Sequence, residues 1–296
     1  MNRAYREIDA ELFSRMPNSL HHQGEPSNWA KMTRPDEAMH SFLEGLEIDE
    51  FGTFWLVDVP YGRIFNIDPN GNWTTRFTYK GEPHSIQKVA SCEYLIPDYS
   101  LGLLSYNSRN NEIIPVSNKK NYGPIHGLSD IALGNDGTIW LTDSGRSSLS
   151  DPCGQLLRKS PGGPLECVLA KLPYPNGVVV SPDNKTVYVA LTRDNAIWKL
   201  NTSDLETPPM AGRYIQLSGG LGPDGLAISS DNYLAVAQAR AGRAYIFDPL
   251  GDPVIRINTP HGVSTTSVTF DQNDNLYIVE AQSASIYIVP KTRWAS

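Results

Sequence analysis

The chain has 296 residues, of which 40% are hydrophobic and 19% charged, with 24 glycines and 22 prolines, a composition typical of a turn-rich globular protein. Its formal net charge is −7 and its 25 lysines and arginines are scattered, which argues against a nucleic-acid partner. No apolar run approaches the roughly 18 residues that span a bilayer, and residues 1–16 are charged rather than signal-like, so we expect a cytoplasmic protein with no membrane partner.

The first expected element is an N-terminal strand. Residues 8–13 read Ile-Asp-Ala-Glu-Leu-Phe and lie within an extension that covers residues 1–40. They are predicted to form an outer strand that pairs with the last of a ring of sheets, the repeats of which are described next. This strand would join the two ends of the chain. A short helix is the alternative for the same segment.

From Glu44 onward the chain repeats one unit: a polar residue, an apolar strand, a Gly/Asp/Asn turn, an aromatic and β-branched strand, a loop and a third strand. The units begin near residues 44, 84, 129, 176, 224 and 266, between 40 (84−44) and 48 (224−176) residues apart. This spacing is close to the period of a four-stranded blade, and the turns favour hairpins over helical repeats. The sequence therefore predicts an all-β fold, a six-bladed β-propeller of four-stranded blades in a single domain over residues 1–296, closed by the N-terminal strand.

The residues that open the six repeats are all polar, and we call them the entry residues. In a propeller the first strand of each blade lines the central channel, so these residues converge at one mouth. They are Glu44, His84 with Ser85, Ser129 with Asp130, Asn176, Asp224, and Thr266 with Ser267.

Glu44, Asn176 and Asp224 offer the oxygen ligands that suit a hard cation, calcium above all, with Zn²⁺, Mn²⁺ or Mg²⁺ as alternatives. Asn176 and Asp224 each stand between Pro and Gly. Pro stiffens the approach to such a ligand and Gly frees the exit. Either dipeptide alone is an ordinary turn signal. Three such residues in register across the repeats nevertheless predict a metal site.

These motifs make the chain resemble the SMP-30/gluconolactonase family, also called regucalcin-like, over nearly its whole length, with a weaker likeness to diisopropyl-fluorophosphatase and paraoxonase. The resemblance is carried by FLEGLEIDEFGTFWLVDV around Glu44, SDIALGNDGTIWLTDSG from Ser129, PNGVVVSPDNKTVYVA around Asn176 and PDGLAISSDNYLAV around Asp224. It implies that Glu44, Asn176 and Asp224 are metal ligands and that the protein hydrolyses a lactone as its small-molecule substrate.

The third repeat departs from the family pattern. Sugar lactonases of the family usually show Arg-x-Asn-Asp there, with the Arg on the sugar, whereas this chain has Gly127-Leu128-Ser129-Asp130. Ser129 still offers a hydroxyl oxygen, but Gly127 cannot replace a guanidinium. We therefore expect a bulkier or more apolar lactone than a simple sugar lactone.

Two residues are the candidate catalytic groups. Asp224 is expected to act as the base, whereas Glu44 only coordinates the cation. His84 opens the second repeat and has an ordinary pKa of about 6.5, suited to donating a proton to the leaving alkoxide, with a structural role as the alternative. The candidate substrate-binding residues are Ser129, His126, Asp130 and Ser267, with Asp130 more as a support of the channel than as a direct contact.

Other functions stay open on the sequence alone. One is a different reaction on the same metal site, such as phosphotriester hydrolysis or a lyase or isomerase step. Another is a non-catalytic binding propeller with a structural cation. Arg146 and Arg193 follow inner blades in loops, where solvent exposure is expected and contact with an anionic substrate is the alternative.

Three cysteines, Cys92, Cys153 and Cys167, are an odd number without C-x-x-C spacing. They are expected to be reduced structural thiols rather than disulfide or zinc ligands.

Overall fold

The computed structural model describes residues 5–117, 125–203, 205 and 209–295. Across these ranges the strands form six sheets arranged as the six blades of a β-propeller, which confirms the predicted fold. Within the same residues, no helix is both long and apolar enough to cross a membrane. All three cysteines are free.

The N-terminal extension contains strands β1 (Arg6–Asp9) and β2 (Glu11–Arg15), a 3₁₀ turn (Asn18–Leu20) and helix α1 (Asn28–Thr33). Ser27 caps α1, because its hydroxyl accepts a hydrogen bond from the amide of Ala30 at 3.2 Å. Residues 34–42 connect this helix to the first blade.

The strands of the first three blades, in chain order, are β3 (Leu43–Ile48), β4 (Phe54–Asp58), β5 (Arg63–Ile67) and β6 (Trp73–Thr78); β7 (Gln87–Ala90), β8 (Glu93–Asp98), β9 (Gly102–Asn107) and β10 (Glu112–Ser117); and β11 (Leu128–Leu133), β12 (Ile139–Asp143), β13 (Gly154–Lys159) and β14 (Leu165–Leu172). The strands of the last three are β15 (Pro175–Val180), β16 (Thr186–Leu191), β17 (Ala196–Asn201) and β18 (Ala211–Gln216); β19 (Gly222–Ile228), β20 (Leu234–Ala239), β21 (Arg243–Phe247) and β22 (Pro253–Asn258); and β23 (Thr265–Phe270), β24 (Leu276–Glu280) and β25 (Ser285–Val289). Two further 3₁₀ turns (Val59–Tyr61 and Thr192–Asp194) follow β4 and β16, and helix α2 (Lys291–Trp294) ends the chain.

The N-terminal strand closes the ring, and it does so in two pieces. Strand β2 pairs antiparallel with β25 and supplies the fourth strand of the sixth blade, with Leu12 opposite Tyr287. Strand β1 instead pairs in parallel with β22 as a fifth strand of the fifth blade, with Ile8 opposite Ile257. The predicted strand over residues 8–13 is therefore confirmed, the helical alternative is wrong, and the segment changes sheet at Ala10.

The hydrophobic core lies between blades rather than inside one central mass. Each of the six clusters of buried apolar side chains joins two neighbouring blades among the described residues. Between the first and second blades, for example, the rings of Trp55 and Tyr94 pack with centroids 4.5 Å apart. The blades are thus held face to face by apolar burial, which leaves the central channel to polar side chains.

Ser14 joins the closing strand to the first blade, and its loss should weaken the ring. Its hydroxyl donates to the backbone oxygen of Gly71 and accepts from the indole Nε1 of Trp73, both at 2.8 Å. We expect Ser14→Ala to lower the free energy of unfolding by about 1–3 kcal/mol, because two hydrogen bonds at a buried site are lost. Urea denaturation measures this. The matched Ser91→Ala change, in the exposed turn between β7 and β8, should cost less than about 0.5 kcal/mol; equal losses for both variants would contradict the assignment.

Candidate active site

Glycines that follow the entry residues let neighbouring inner strands touch. A Cβ on Gly177 would clash with the backbone oxygen of Asp224, and one on Gly225 would lie 2.8 Å from the backbone oxygen of Thr266. Neither glycine has a positive φ, in contrast to Gly45 with a φ of 62°. The Asn-Gly and Asp-Gly dipeptides therefore serve close approach between blades, a different reason from the freer exit that the sequence suggested.

Five of the predicted site residues come together at one mouth of the channel. His84 Nδ1 lies 2.9 Å from Glu44 Oε2. Ser129 donates from Oγ to Asn176 Oδ1 at 2.8 Å, and Asn176 Nδ2 lies 2.5 Å from Asp224 Oδ1. All five line a cavity of about 590 Å³ above the channel. Side chains far apart in sequence thus form two hydrogen-bonded groups around one opening.

The carboxylates at this mouth sit in an unfavourable environment. Burial raises the pKa of Asp224 well above its usual range, and the negative charges of Glu44 and Asp130 raise it further. For His84, burial opposes protonation, but the charge of Glu44 and the hydrogen bond to it outweigh burial, so the pKa is raised. The site therefore gathers negative charge that a bound cation would relieve.

The second ring nitrogen of His84 is buried and has no hydrogen-bond partner among the described residues. Because Nδ1 contacts Glu44, the orientation of the imidazole is fixed, and His84 lines the cavity. The ring centroids of Trp29 and Tyr99 lie 6.4 and 5.7 Å from that of His84. An unpaired buried nitrogen costs free energy unless a ligand completes it.

The remaining candidates lie away from the cavity wall. Asp130 is in the channel, where its carboxylate accepts from the amide of Val178 at 2.9 Å and burial raises its pKa to about 6. Ser267 Oγ accepts from the amide of Gly45 at 2.9 Å in the same channel. His126 is exposed and does not line the cavity.

Buried polar side chains at the ends of the second strands of the blades hold the loops that lead to the entry residues. This role was not predicted from the sequence. Asp98 Oδ2 accepts from the amide of Glu82 at 2.8 Å, and Asp143 Oδ1 accepts from that of Gly127 at 2.6 Å. The sequence does contain a signal for them. In five blades a polar residue follows the entry residue by 14 positions (58−44, for example). These residues are Asp58, Asp98, Asp143, Gln238 and Glu280, all fully buried.

The cavity also has walls that no motif predicted. Helix α1 and the residues after it cross the mouth, so Trp29, Arg34 and Phe42 line the cavity together with Tyr99 and Tyr174. The side chain of Arg34 is only 9% exposed and donates to Ser264 Oγ at 3.0 Å. The extension thus builds part of the site as well as closing the ring.

Among the residues that the structure describes, no group of three or more His, Cys, Asp or Glu side chains is arranged to hold a metal ion. The predicted ligand set differs from such a group, because it has two carboxylates and the amide of Asn176. The fold and this mouth define a six-bladed propeller with a polar site under a cavity at one end of its channel. Residues 43–282 match the SMP-30/gluconolactonase/LRE-like region, and the chain belongs to this family.

Known proteins similar to the chain agree with this assignment. Lactonase drp35 of Staphylococcus aureus (strain MW2) is 26% identical over 253 residues, covering 80% of this chain and 77% of the relative. Among solved structures, the calcium-binding protein regucalcin of Agrobacterium tumefaciens superposes with a TM-score of 0.75 at 18% identity, covering 96% of this chain and 94% of that one. XC5397, a gluconolactonase of Xanthomonas campestris, gives 0.74 at 18% identity, with 93% and 98% covered.

Gly127 makes room for the Tyr99 ring, and this contact can be tested. A Cβ on Gly127 would lie 2.6 Å from Tyr99 Cδ2 and 2.8 Å from Cζ. We expect Gly127→Ala to lower the free energy of unfolding by about 1–3 kcal/mol, because the ring has to move. Chemical denaturation of the single variants and of Gly127→Ala with Tyr99→Ala measures the coupling. The added methyl should cost much less in the Tyr99→Ala background, and strict additivity would contradict the assignment.

Proposed function

We propose that the protein is a metal-dependent hydrolase that opens the ring of a small lactone, with a calcium-type cation held by Glu44, Asn176 and Asp224. The observation that carries the proposal is that these three residues, from three different blades, line the floor of one cavity together with His84, whose Nε2 has no hydrogen-bond partner among the described residues. The similarity to lactonase drp35 and to a gluconolactonase supports the class of reaction.

The side chains present fit a hard divalent cation. Glu44 and Asp224 supply carboxylate oxygens and Asn176 an amide oxygen, the ligand types that calcium prefers. Asn176 adjoins Asp224, to which its Nδ2 donates at 2.5 Å, while its Oδ1 accepts from Ser129; the amide would turn to present its oxygen to an ion beside Asp224. When bound, a cation would polarise the lactone carbonyl and acidify a nearby water.

The chain's own residues supply the proton transfers. Asp224 takes a proton from the attacking water as the water oxygen bonds to the acyl carbon. As the ring C–O bond breaks, His84 donates a proton from Nε2 to the leaving alkoxide, which gives a hydroxy acid. Glu44 fixes the imidazole through Nδ1, and Nε2 has no competing hydrogen-bond partner among the described residues.

The cavity walls favour a lactone with an alkyl or aryl substituent. Trp29, Phe42, Tyr99 and Tyr174 present aromatic surface around the mouth, and Tyr99 occupies the space in which a side chain at position 127 would lie. A polyhydroxylated sugar lactone would gain few hydrogen bonds from these rings, whereas an apolar substituent would be buried against them.

The cation can be tested without any substrate. We expect one divalent ion per chain after extensive dialysis, and an increase in melting temperature when calcium is added, since a ligand that binds only the folded state stabilises it by about 2.7 kcal/mol at a hundredfold excess over Kd. Elemental analysis and thermal scans measure both. Glu44→Gln and Asp224→Asn should abolish the calcium effect, whereas Glu93→Gln, an exposed carboxylate on β8, should keep it. A metal-free chain that calcium does not stabilise would contradict the site.

Hydrolysis should be tested on a panel of lactones with added calcium and a pH indicator. We expect weak activity on gluconolactone and higher kcat/KM on lactones with alkyl or aryl groups. Inactivity on the whole panel with metal bound would favour a lyase, isomerase or binding role, and a preference for gluconolactone would contradict the substrate assignment.

The same assay ranks the catalytic residues on the best substrate. Asp224→Asn and Glu44→Gln should abolish turnover, whereas His84→Ala should lower kcat by about 10²- to 10⁴-fold, the usual contribution of a general acid. His261→Ala, an exposed histidine between β22 and β23, is the control and should leave kcat unchanged. A larger loss for His84→Ala than for Asp224→Asn would reverse the assigned roles.

A further inference from the structure

Three consecutive blades each place an arginine at the cavity. Arg146 and Arg193 follow the entry residues Ser129 and Asn176 by 17 positions (146−129 and 193−176), and Arg240 follows Asp224 by 16 (240−224). All three lie just after second strands, in equivalent loops of the third, fourth and fifth blades, and all three line the cavity. We call them the arginine arc.

The guanidinium groups of the arginine arc are available to a ligand. Among the described residues, none of the three makes an ion pair or a side-chain hydrogen bond, and Arg193 only lies over the Tyr174 ring, 5.6 Å from its centroid. In the same region of the ring, Arg158 pairs with Glu166 at 2.7 Å and Arg213 with Asp194 at 2.9 Å. The arginine arc has no such acidic partner among the described residues, and it lines the cavity.

Two of the residues that line the cavity have an unusual backbone conformation. Arg240 has a φ of 54° and Tyr174 a φ of 59°, both in the left-handed region that residues other than glycine and asparagine rarely adopt. Glycine would adopt either conformation without strain. Both residues line the cavity, so large side chains stand there at positions that glycine would occupy with less strain.

The charge that lines the cavity depends on the cation proposed at its floor. The arginine arc faces Glu82 and the two carboxylates of the floor, whereas Arg34 pairs with Glu37 at 2.9 Å. With Glu44 and Asp224 offset by a cation, Glu82 is the acidic group left on the cavity wall among the described residues. A positive mouth attracts and orients an anion.

We propose that the substrate is a lactone that carries a carboxylate, and that this carboxylate lies against the arginine arc while the ring lies over Glu44, Asn176 and Asp224. The inference rests on the proposed lactonase function and specifies its substrate class. A carboxylate matches the planar guanidinium, which binds it through two parallel hydrogen bonds. Glu82 belongs to the second blade, outside the blades of the arginine arc, and repels the same carboxylate.

The test compares two γ-butyrolactones with the same alkyl chain, one ending in a carboxylate and the other in a carboxamide. We expect kcat/KM to be at least about tenfold higher for the carboxylate, and each of Arg146→Gln, Arg193→Gln and Arg240→Gln to reduce this ratio about 3- to 10-fold. Raising the salt from 0.05 to 0.5 M should also reduce it, because exposed charges are screened. Arg109→Gln, an exposed arginine in the turn between β9 and β10, should leave the ratio unchanged.

Binding separates this inference from the proposed reaction. Calorimetry with the corresponding lactams, which resist hydrolysis, should show tighter binding of the carboxylate form and its loss in the arginine variants. Selective lactam binding without lactone turnover would support the arginine arc and overturn the hydrolase. Turnover with equal kcat/KM for the carboxylate and carboxamide lactones would overturn the proposal that the substrate carries a carboxylate. Equal binding of both lactams without turnover would overturn both.

Discussion

The contact between neighbouring inner strands is the constraint on which the site depends. Gly177 lies against the backbone of Asp224, and Asp130 accepts a hydrogen bond from the amide of Val178. The ring then closes from the last blade to the first, where Thr266 Oγ1 donates to the backbone oxygen of Leu43 at 2.8 Å. Because adjacent strands touch at their entry ends, polar side chains from distant parts of the chain are brought within hydrogen-bond distance. Apolar packing between the blades holds the ring together, and these short contacts between inner strands determine the width of the central channel.

A second requirement is that the loops leading to the entry residues stay fixed. They are held by polar side chains that are themselves buried. Asp58 shows the balance of forces: burial raises its pKa to about 6, although Arg63 and the amide of Phe42 both favour its charged form. Asp58 accepts from that amide at 2.7 Å, so the loop before Glu44 is held by a group that itself depends on the loop. A buried carboxylate is costly when unpaired, and this mutual dependence fixes the mouth more firmly than a surface contact would.

The repeat was enough to predict the blades and the convergence of Glu44, Asn176 and Asp224, because a fixed period places equivalent residues at equivalent positions in a ring. The sequence could not show that Tyr99 fills the space beside Gly127, since the two belong to loops of different blades. Nor could it place α1 over the mouth, because that segment has no counterpart in the repeat. The prediction that Gly177 and Gly225 give the backbone freedom after the entry residues was incomplete. The atoms that these glycines accommodate belong to the next blade, which the local sequence does not show.

The floor and the walls of the cavity are therefore under different structural constraints. The floor is made of strand residues, where a larger side chain at Gly177 or Gly225 would force neighbouring blades apart. The walls are made of loop residues such as Tyr99 and Arg240, whose replacement leaves the inner-strand contacts intact. Loops can change without opening the ring, so substrate choice can vary on this fold while the chemistry of the floor stays the same. Position 127 is a glycine where sugar lactonases of the family usually have an arginine, but the cavity still has positive charge, because Arg146, Arg193 and Arg240 line it from equivalent loops of the third, fourth and fifth blades.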